Sequence, residues 1–301
     1  MNSTSLTLER LGFAPDDRVV ILHADDIGMC HATIPAFEQL LEFGLVSSYA
    51  IMTPCPWASA ALEMAREARA DVGVHITLTS EWKHYRWSPL STRDQQSGLL
   101  DSEGFFPRST KEIQTRVVST FALSEMRAQF QCFADHGVQP THMDSHMLSA
   151  FDSSLLGEYV ASALEHVTPA LFLSSDNAGI WMSEATRAMT ETLRKSLTAR
   201  GFPLLDHAGG MPLSTDPNSR DDEFQVRLEI AKSRLGSSSW GDALRVSSER
   251  GHAELRAICP DWRARVGDEL VFRSAELRDY LNGLGVHVIG YGALKALFAH
   301  S

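Results

Sequence analysis

Short apolar runs alternate with amphipathic segments along the first third of the chain. The apolar, β-branched runs predict three strands, at residues 18–23, 48–53 and 72–78. The segments between them carry apolar or alanine side chains at helical spacing and predict two helices, at residues 33–43 and 58–70. This order of strand, helix, strand, helix, strand is typical of a parallel sheet covered by helices.

The same alternation resumes after residue 107 and continues to the end of the chain. Further helices are predicted at residues 111–136, 155–166, 183–200, 224–235 and 274–284. Further strands are predicted at residues 139–146, 170–173, 202–205, 243–246 and 286–289. We find no internal repeat and no clear linker, so the pattern predicts an α/β fold with a single domain over residues 1–301.

Composition and charge exclude several classes of protein. The net charge of −11 and the absence of a basic patch disfavour a nucleic-acid partner. The four cysteines form no CxxC pair and are expected to be reduced thiols. The first residues lack a signal peptide, and no run of about 18 apolar residues indicates a membrane span. These features predict a cytoplasmic protein with no membrane partner.

Ionisable residues stand at the carboxyl ends of three predicted strands, where sheets and barrels of this class bind ligands. They are Asp25-Asp26, His75 and the alternating trio His142, Asp144 and His146. Each group has an ordinary structural explanation. The aspartate pair could cap a helix, His75 could be a hydrogen-bonded core residue, and the trio could lie on a surface strand.

Together the three groups favour a metal site. Two imidazoles and one carboxylate are a common ligand set for zinc, iron or manganese. Adjacent carboxylates on one turn cannot face an ion in the same way, so one aspartate can bind it while the other accepts a proton. Because a bound zinc ion lowers the pKa of water from 15.7 to roughly 7, such a site suits hydrolysis.

Five motifs, at residues 23–28, 44–48, 73–78, 140–146 and 285–291, occur in this order along the chain. On these motifs the sequence resembles the YdjC-like (ChbG/HpnK) carbohydrate deacetylase family. The resemblance implies a distorted (β/α) TIM-like barrel with mostly parallel strands and one divalent metal ion, Mg²⁺ or Zn²⁺. It also implies removal of an acetyl group from an N-acetylated mono- or oligosaccharide, and it makes a homo-oligomer plausible.

Carried over residue by residue, the resemblance gives each motif a role. Asp26, His75 and His146 would hold the metal, and Asp25 would be the general base. Asp144 would orient one of the imidazole ligands.

One departure from the family concerns the group that protonates the leaving amine. The family has a late strand that ends in histidine, whereas Ser247 occupies that position here. His207, at the end of the predicted strand 202–205, is the candidate substitute, and Asp206-His207 could equally cap a turn. His252 is a second candidate in a polar segment. The departure leaves open an esterase or amidase acting on another acylated molecule, or a saccharide-binding protein with weakened catalysis.

The segment of residues 80–107 interrupts the alternation and is rich in aromatic side chains. A segment of this length without regular structure is usually functional or mobile. Trp82 and Trp87 could stack on the rings of a saccharide, or they could pack the segment onto the barrel. Glu81, beside them, could bind a sugar hydroxyl.

Overall fold

The structure is a computed structural model that describes residues 3–14, 16–174, 183–213, 222–237, 242–247 and 253–299. The strands are β1 Arg18–Ile27, β2 Ser48–Ile51, β3 Val72–Ile76, β4 Met143–Ser145, β5 His207–Gly210, β6 Asp242–Ser247 and β7 Val286–Val288. The helices are α1 Ser3–Arg10, α2 Thr33–Phe43, α3 Ala58–Ala68, α4 Thr110–Arg116, α5 Ser119–Asp135, α6 Leu156–Glu165, α7 Glu184–Ala199, α8 Glu223–Ser237, α9 Ala253–Ile258, α10 Trp262–Phe272, α11 Ala275–Gly283 and α12 Tyr291–Ala299.

The sheet follows the strand order β4-β3-β2-β1-β6-β5, and β7 pairs with the first residues of β1. Every pairing between these strands is parallel. Two isolated parallel bridges, Met143 to Ala170 and Leu173 to Leu205, extend from the β4 edge towards the β5 edge. The sheet is therefore curled into a distorted TIM-like barrel, which confirms the α/β fold class.

Strand β1 lies at the centre of the sheet, and its composition explains that place. Leu22 and Ala24 have no exposed surface, and the two faces of the strand are almost fully buried. Near-continuous apolar runs of this kind are typical of parallel strands that are covered on both sides.

Helix α2, which follows β1 in the chain, ends at Gly44. The φ of Gly44 is 71°, in the left-handed region that glycine adopts without strain.

Three predicted elements differ in the structure. The predicted helix 111–136 is two helices, because Val117 and Val118 are extended and Val118 N donates to Ser97 O in the aromatic segment. The predicted strand 170–173 contributes only bridges. The predicted strand 202–205 is displaced, since regular pairing begins at His207.

Among the described residues, no helix is both long and apolar enough to cross a bilayer. The single-domain boundary of residues 1–301 stays a prediction.

Candidate metal centre

Asp26, His75 and His146 converge at the carboxyl ends of β1, β3 and β4. The Oδ1 atom of Asp26 lies 3.2 Å from Nε2 of His75 and 3.0 Å from Nδ1 of His146. All three side chains are buried, and each offers one ligand atom within 4.8 Å of the others. The structure thus brings together the three residues that the sequence predicted as a ligand set.

The backbone conformation at Asp26 explains why its carboxylate and that of Asp25 lie in different environments. Asp26 has a φ of 60°, in the left-handed region that aspartate tolerates better than most residues. The turn that follows is fixed because Gly28 N donates to Thr33 Oγ1 at 2.9 Å. Asp26 is 4% exposed, whereas Asp25 is half-buried, so the two adjacent carboxylates have different environments.

The register of β3 and β4 places Asp144 beside His75. The two residues are paired across the strands, and Nδ1 of His75 lies 2.6 Å from Oδ1 of Asp144. A carboxylate on Nδ1 orients the ring and leaves Nε2 for a metal, which is the arrangement that zinc proteins use. The contact supports the predicted role of Asp144.

Glu81 has a comparable contact with the other imidazole. Its two carboxylate oxygens lie 3.1 and 3.2 Å from Nε2 of His146, on the opposite side of the ring from Asp26. The sequence predicted that Glu81 binds a sugar hydroxyl. The structure shows it as an acceptor for His146, so each imidazole has a carboxylate on the nitrogen that faces away from Asp26. The contact of Glu81 with a sugar hydroxyl stays a prediction.

The electrostatics of the site fit a bound cation. Burial lowers the pKa of His75, but Asp144 and Asp26 more than reverse this and raise it to about 9. Burial likewise opposes a charged His146, yet Glu81 and Asp26 hold its pKa well above the usual range. The buried carboxylates therefore favour positive charge between them, and a divalent ion in place of imidazole protons would satisfy that demand.

Arg265 is a further residue of the site that sequence reasoning missed. From α10, its Nη1 atom donates to Oδ2 of Asp26 at 2.9 Å, and the residue is 3% exposed. Its position 239 residues further along the chain gives no local pattern that would link it to Asp26. The sequence pattern also did not predict helix α10, so the burial of this charged residue could not be anticipated.

His207 does not lie where the sequence pattern placed it. The residue begins β5 in register with Asp242, which is in turn in register with Val20 of β1. Val20 precedes Asp25 by five positions, so at about 3.3 Å per residue His207 lies roughly 16 Å from Asp25 along the strand direction. The expectation that His207 reaches the metal edge is wrong, because the apolar run 202–205 is not the strand itself.

Ser247 occupies the strand position that the sequence pattern gave it. The residue ends β6, and its backbone is in register with Asp25 of β1. His252, the other candidate, lies outside the described residues.

Trp82 and Trp87 pack the aromatic segment onto the barrel. They are 8% and 3% exposed, and their rings meet edge to face with centroids 5.4 Å apart. Nε1 of Trp87 also donates to Thr79 O at 2.8 Å. Since little of either ring is available to a ligand, the structure contradicts a stacking platform at these residues and supports the packing alternative.

His142 lies apart from the metal ligands, although it shares their motif. Its ring stacks on Tyr291 with centroids 4.1 Å apart, and burial holds its pKa well below the usual range. Close packing against Gly73, where an added Cβ would lie 2.4 Å from the ring, explains the glycine at that position. His142 is therefore a buried core residue, as its stacking on Tyr291 indicates.

Comparison with known proteins identifies related sequences. The family described as YdjC-like protein matches residues 19–245. A carbohydrate deacetylase of Thermus thermophilus is 33% identical over 189 residues, which are 62% of this chain and 66% of that protein. A chitooligosaccharide deacetylase of Yersinia enterocolitica is 30% identical over 135 residues, 43% of this chain and 49% of that protein. The matches span about half to two thirds of these relatives.

A similar fold occurs in a crystal structure from Enterococcus faecalis that is provisionally described as a cellobiose-phosphate cleavage protein. It superposes with a TM-score of 0.73 at 21% sequence identity, covering 93% of this chain and 99% of that one. Because 93% of this chain is covered, the shared fold extends beyond residue 245.

Proposed function

Because this chain belongs to the YdjC-like protein family, we propose that it is a metal-dependent carbohydrate deacetylase that releases acetate from an N-acetylated mono- or oligosaccharide. The observation that carries the proposal is the convergence of Asp26, His75 and His146 around one point at the carboxyl ends of the strands. The names of the relatives, carbohydrate and chitooligosaccharide deacetylase, support the substrate class.

Asp26, His75 and His146 would hold the ion. A divalent ion bound there would lower the pKa of a water molecule and polarise the acetyl carbonyl. The donor set of two imidazoles and one carboxylate favours Zn²⁺ over Mg²⁺, because Mg²⁺ prefers oxygen ligands. Asp144 and Glu81 would keep the two rings in the orientation that presents the correct nitrogen.

Asp25 would act as the general base. It is adjacent to the ligand Asp26 yet half-buried rather than buried, which leaves its carboxylate access to a substrate. Asp25 accepts the proton of the attacking water while the oxygen of that water bonds to the acetyl carbon.

Asp25 would also supply the proton for the leaving group. Breaking the C–N bond requires a proton on the departing nitrogen, and His207 lies at the opposite end of the sheet. The carboxylic acid form of Asp25 holds the proton taken from water and returns it to the nitrogen. The products are then the free amine and acetic acid, which releases its remaining proton to solvent as acetate, and Asp25 is again a carboxylate.

Acetate release with controlled metal content tests the proposal. The purified protein would be stripped with a chelator, reloaded with Zn²⁺ or Mg²⁺, and incubated with N-acetylated mono- and oligosaccharides. We expect acetate release that is lost on stripping and restored best by Zn²⁺. Absence of acetate from every such substrate, with metal supplied, contradicts the proposal.

A second candidate is hydrolysis of an O-acetyl ester at the same site. Ser247 in place of the histidine of the family favours it, because an alkoxide leaving group needs less help from an acid than an amine does. Parallel assays with O-acetylated and N-acetylated forms of one saccharide separate the two reactions. Faster release from the ester, with none from the amide, would replace the first proposal by the second.

A further inference from the structure

Helix α10 contributes a charged residue to the metal centre from outside the part of the chain that the family match covers. The match ends at residue 245, and α10 spans Trp262–Phe272. Arg265 on this helix is almost completely buried and reaches Oδ2 of Asp26 at 2.9 Å. A buried guanidinium needs such partners, because an unpaired charge is strongly destabilising away from water.

The two oxygens of Asp26 have different partners. Oδ1 faces the imidazole nitrogens of His75 and His146, whereas Oδ2 accepts the hydrogen bond from Arg265. With Oδ2 occupied by the guanidinium, only Oδ1 points to the place where the three ligand atoms converge. These contacts on both oxygens hold the Asp26 carboxylate in one orientation.

Arg265 is itself held from two further sides. Its Nε atom donates to Oδ2 of Asp261, the residue directly before α10, at 2.9 Å. Its guanidinium carbon lies 5.8 Å from the ring centroid of Trp82, in the range of a cation–π contact. Asp261 also balances the positive charge of Arg265, so the guanidinium adds little net repulsion towards a cation.

We propose that Arg265 is a positioning residue that restricts Asp26 to binding the metal through one oxygen. The inference rests on the proposed function, since it requires a metal at Asp26. The planar guanidinium allows this restriction, because it donates to Asp26 and to Asp261 at the same time from different nitrogen atoms. A lysine ammonium keeps the charge but not this geometry.

Metal titration of purified variants tests the inference independently of turnover. Co²⁺ binding would be followed by its visible absorption in the wild type, Arg265→Lys and Arg265→Gln. Groups that orient metal ligands typically contribute 10- to 100-fold to metal affinity, so we expect both variants to bind about 10- to 100-fold more weakly. At saturating Co²⁺ we also expect a changed absorption spectrum, because Asp26 can then offer both oxygens.

Arg263→Gln is the matched control, since Arg263 lies on the same helix and faces Glu223, 3.6 Å away, rather than Asp26. Asp261→Asn loosens the support of Arg265 and should weaken Co²⁺ binding to a smaller extent. Should Arg265→Gln fail to fold, the lysine variant alone decides the matter.

The outcomes separate the inference from the proposed function. Unchanged or tighter Co²⁺ binding in folded Arg265 variants, with an unchanged spectrum, overturns the inference and leaves the proposed function intact. A wild type that binds no divalent metal overturns both. Weaker binding with an altered spectrum, in both Arg265 variants but not in Arg263→Gln, supports the positioning role.

Discussion

Oδ1 of Asp144 lies 2.6 Å from Nδ1 of His75, and the same ring points Nε2 towards Asp26 at 3.2 Å. This contact follows directly from the parallel register of β3 and β4, in which His75 and Asp144 are paired. The strand register thus sets which imidazole nitrogen is available to a metal.

The Asp144→Asn variant should bind metal more weakly. An amide in place of the carboxylate removes the charge that supports the His75 ring, and we expect a loss of about 10- to 100-fold in metal affinity. Zn²⁺ affinity would be measured by competition with a chromophoric chelator. Asp135→Asn, at an exposed site on α5, is the control. Equal affinity in Asp144→Asn and the wild type would contradict the orienting role.

Metal affinity should increase with pH through the neutral range and at least to about 9. The pKa of His75 is raised to about 9 by Asp144 and Asp26 against the opposing effect of burial, so a proton must leave before a metal can bind. Below that pH, affinity should rise by about tenfold per pH unit for each proton displaced. Calorimetric titration in two buffers of different ionisation enthalpy counts the protons released. Metal binding between pH 7 and 8 without proton release would refute this prediction.

Glu81→Gln distinguishes ligand orientation from substrate binding. If Glu81 supports His146, the variant should lose metal affinity and kcat, because the carboxylate on Nε2 is replaced by an amide. If Glu81 instead binds a sugar hydroxyl, KM should rise while metal affinity stays unchanged. Metal titration together with steady-state kinetics gives both quantities, and we expect the first result.

Trp87→Ala should destabilise the fold rather than weaken substrate binding alone. Replacing a buried tryptophan by alanine typically costs about 3–5 kcal/mol in the free energy of unfolding. Urea unfolding would measure the change, with Leu90→Ala as the control, since Leu90 is in the same segment and 42% exposed. A loss below about 1 kcal/mol combined with a large rise in KM would instead restore the stacking role.

Local sequence patterns were sufficient for the parts of the fold that depend on neighbouring residues. The predicted helix 33–43 matches α2, and the strands around Asp25-Asp26 and His75 lie where apolar runs indicated them. The ionisable groups could be found because they lie in or next to such runs, and the resemblance to the family selected Asp26, His75 and His146 among them. Strand ends of a parallel sheet meet at one edge whatever the detailed geometry.

Residues whose place depends on strand register or long-range pairing could not be located in this way. The run Phe202–Leu205 is as apolar as a strand, yet only Leu205 makes a bridge and pairing starts at His207. Arg265 reaches Asp26 through the packing of α10, which no local period encodes. The roles of Glu81 and Trp82 likewise depended on which way the aromatic segment folds.

The most direct test of the account compares Asp25→Asn and Asp26→Asn for metal content and acetate release in the same preparation. Asp26→Asn should lose both metal and activity, since Asp26 contacts both imidazoles. Asp25→Asn should retain metal at the level of the wild type and lose acetate release by at least about 100-fold, as expected on removing a general base. An Asp25→Asn protein that releases acetate at a rate close to that of the wild type, or that has lost its metal, would contradict the division of roles between the two aspartates.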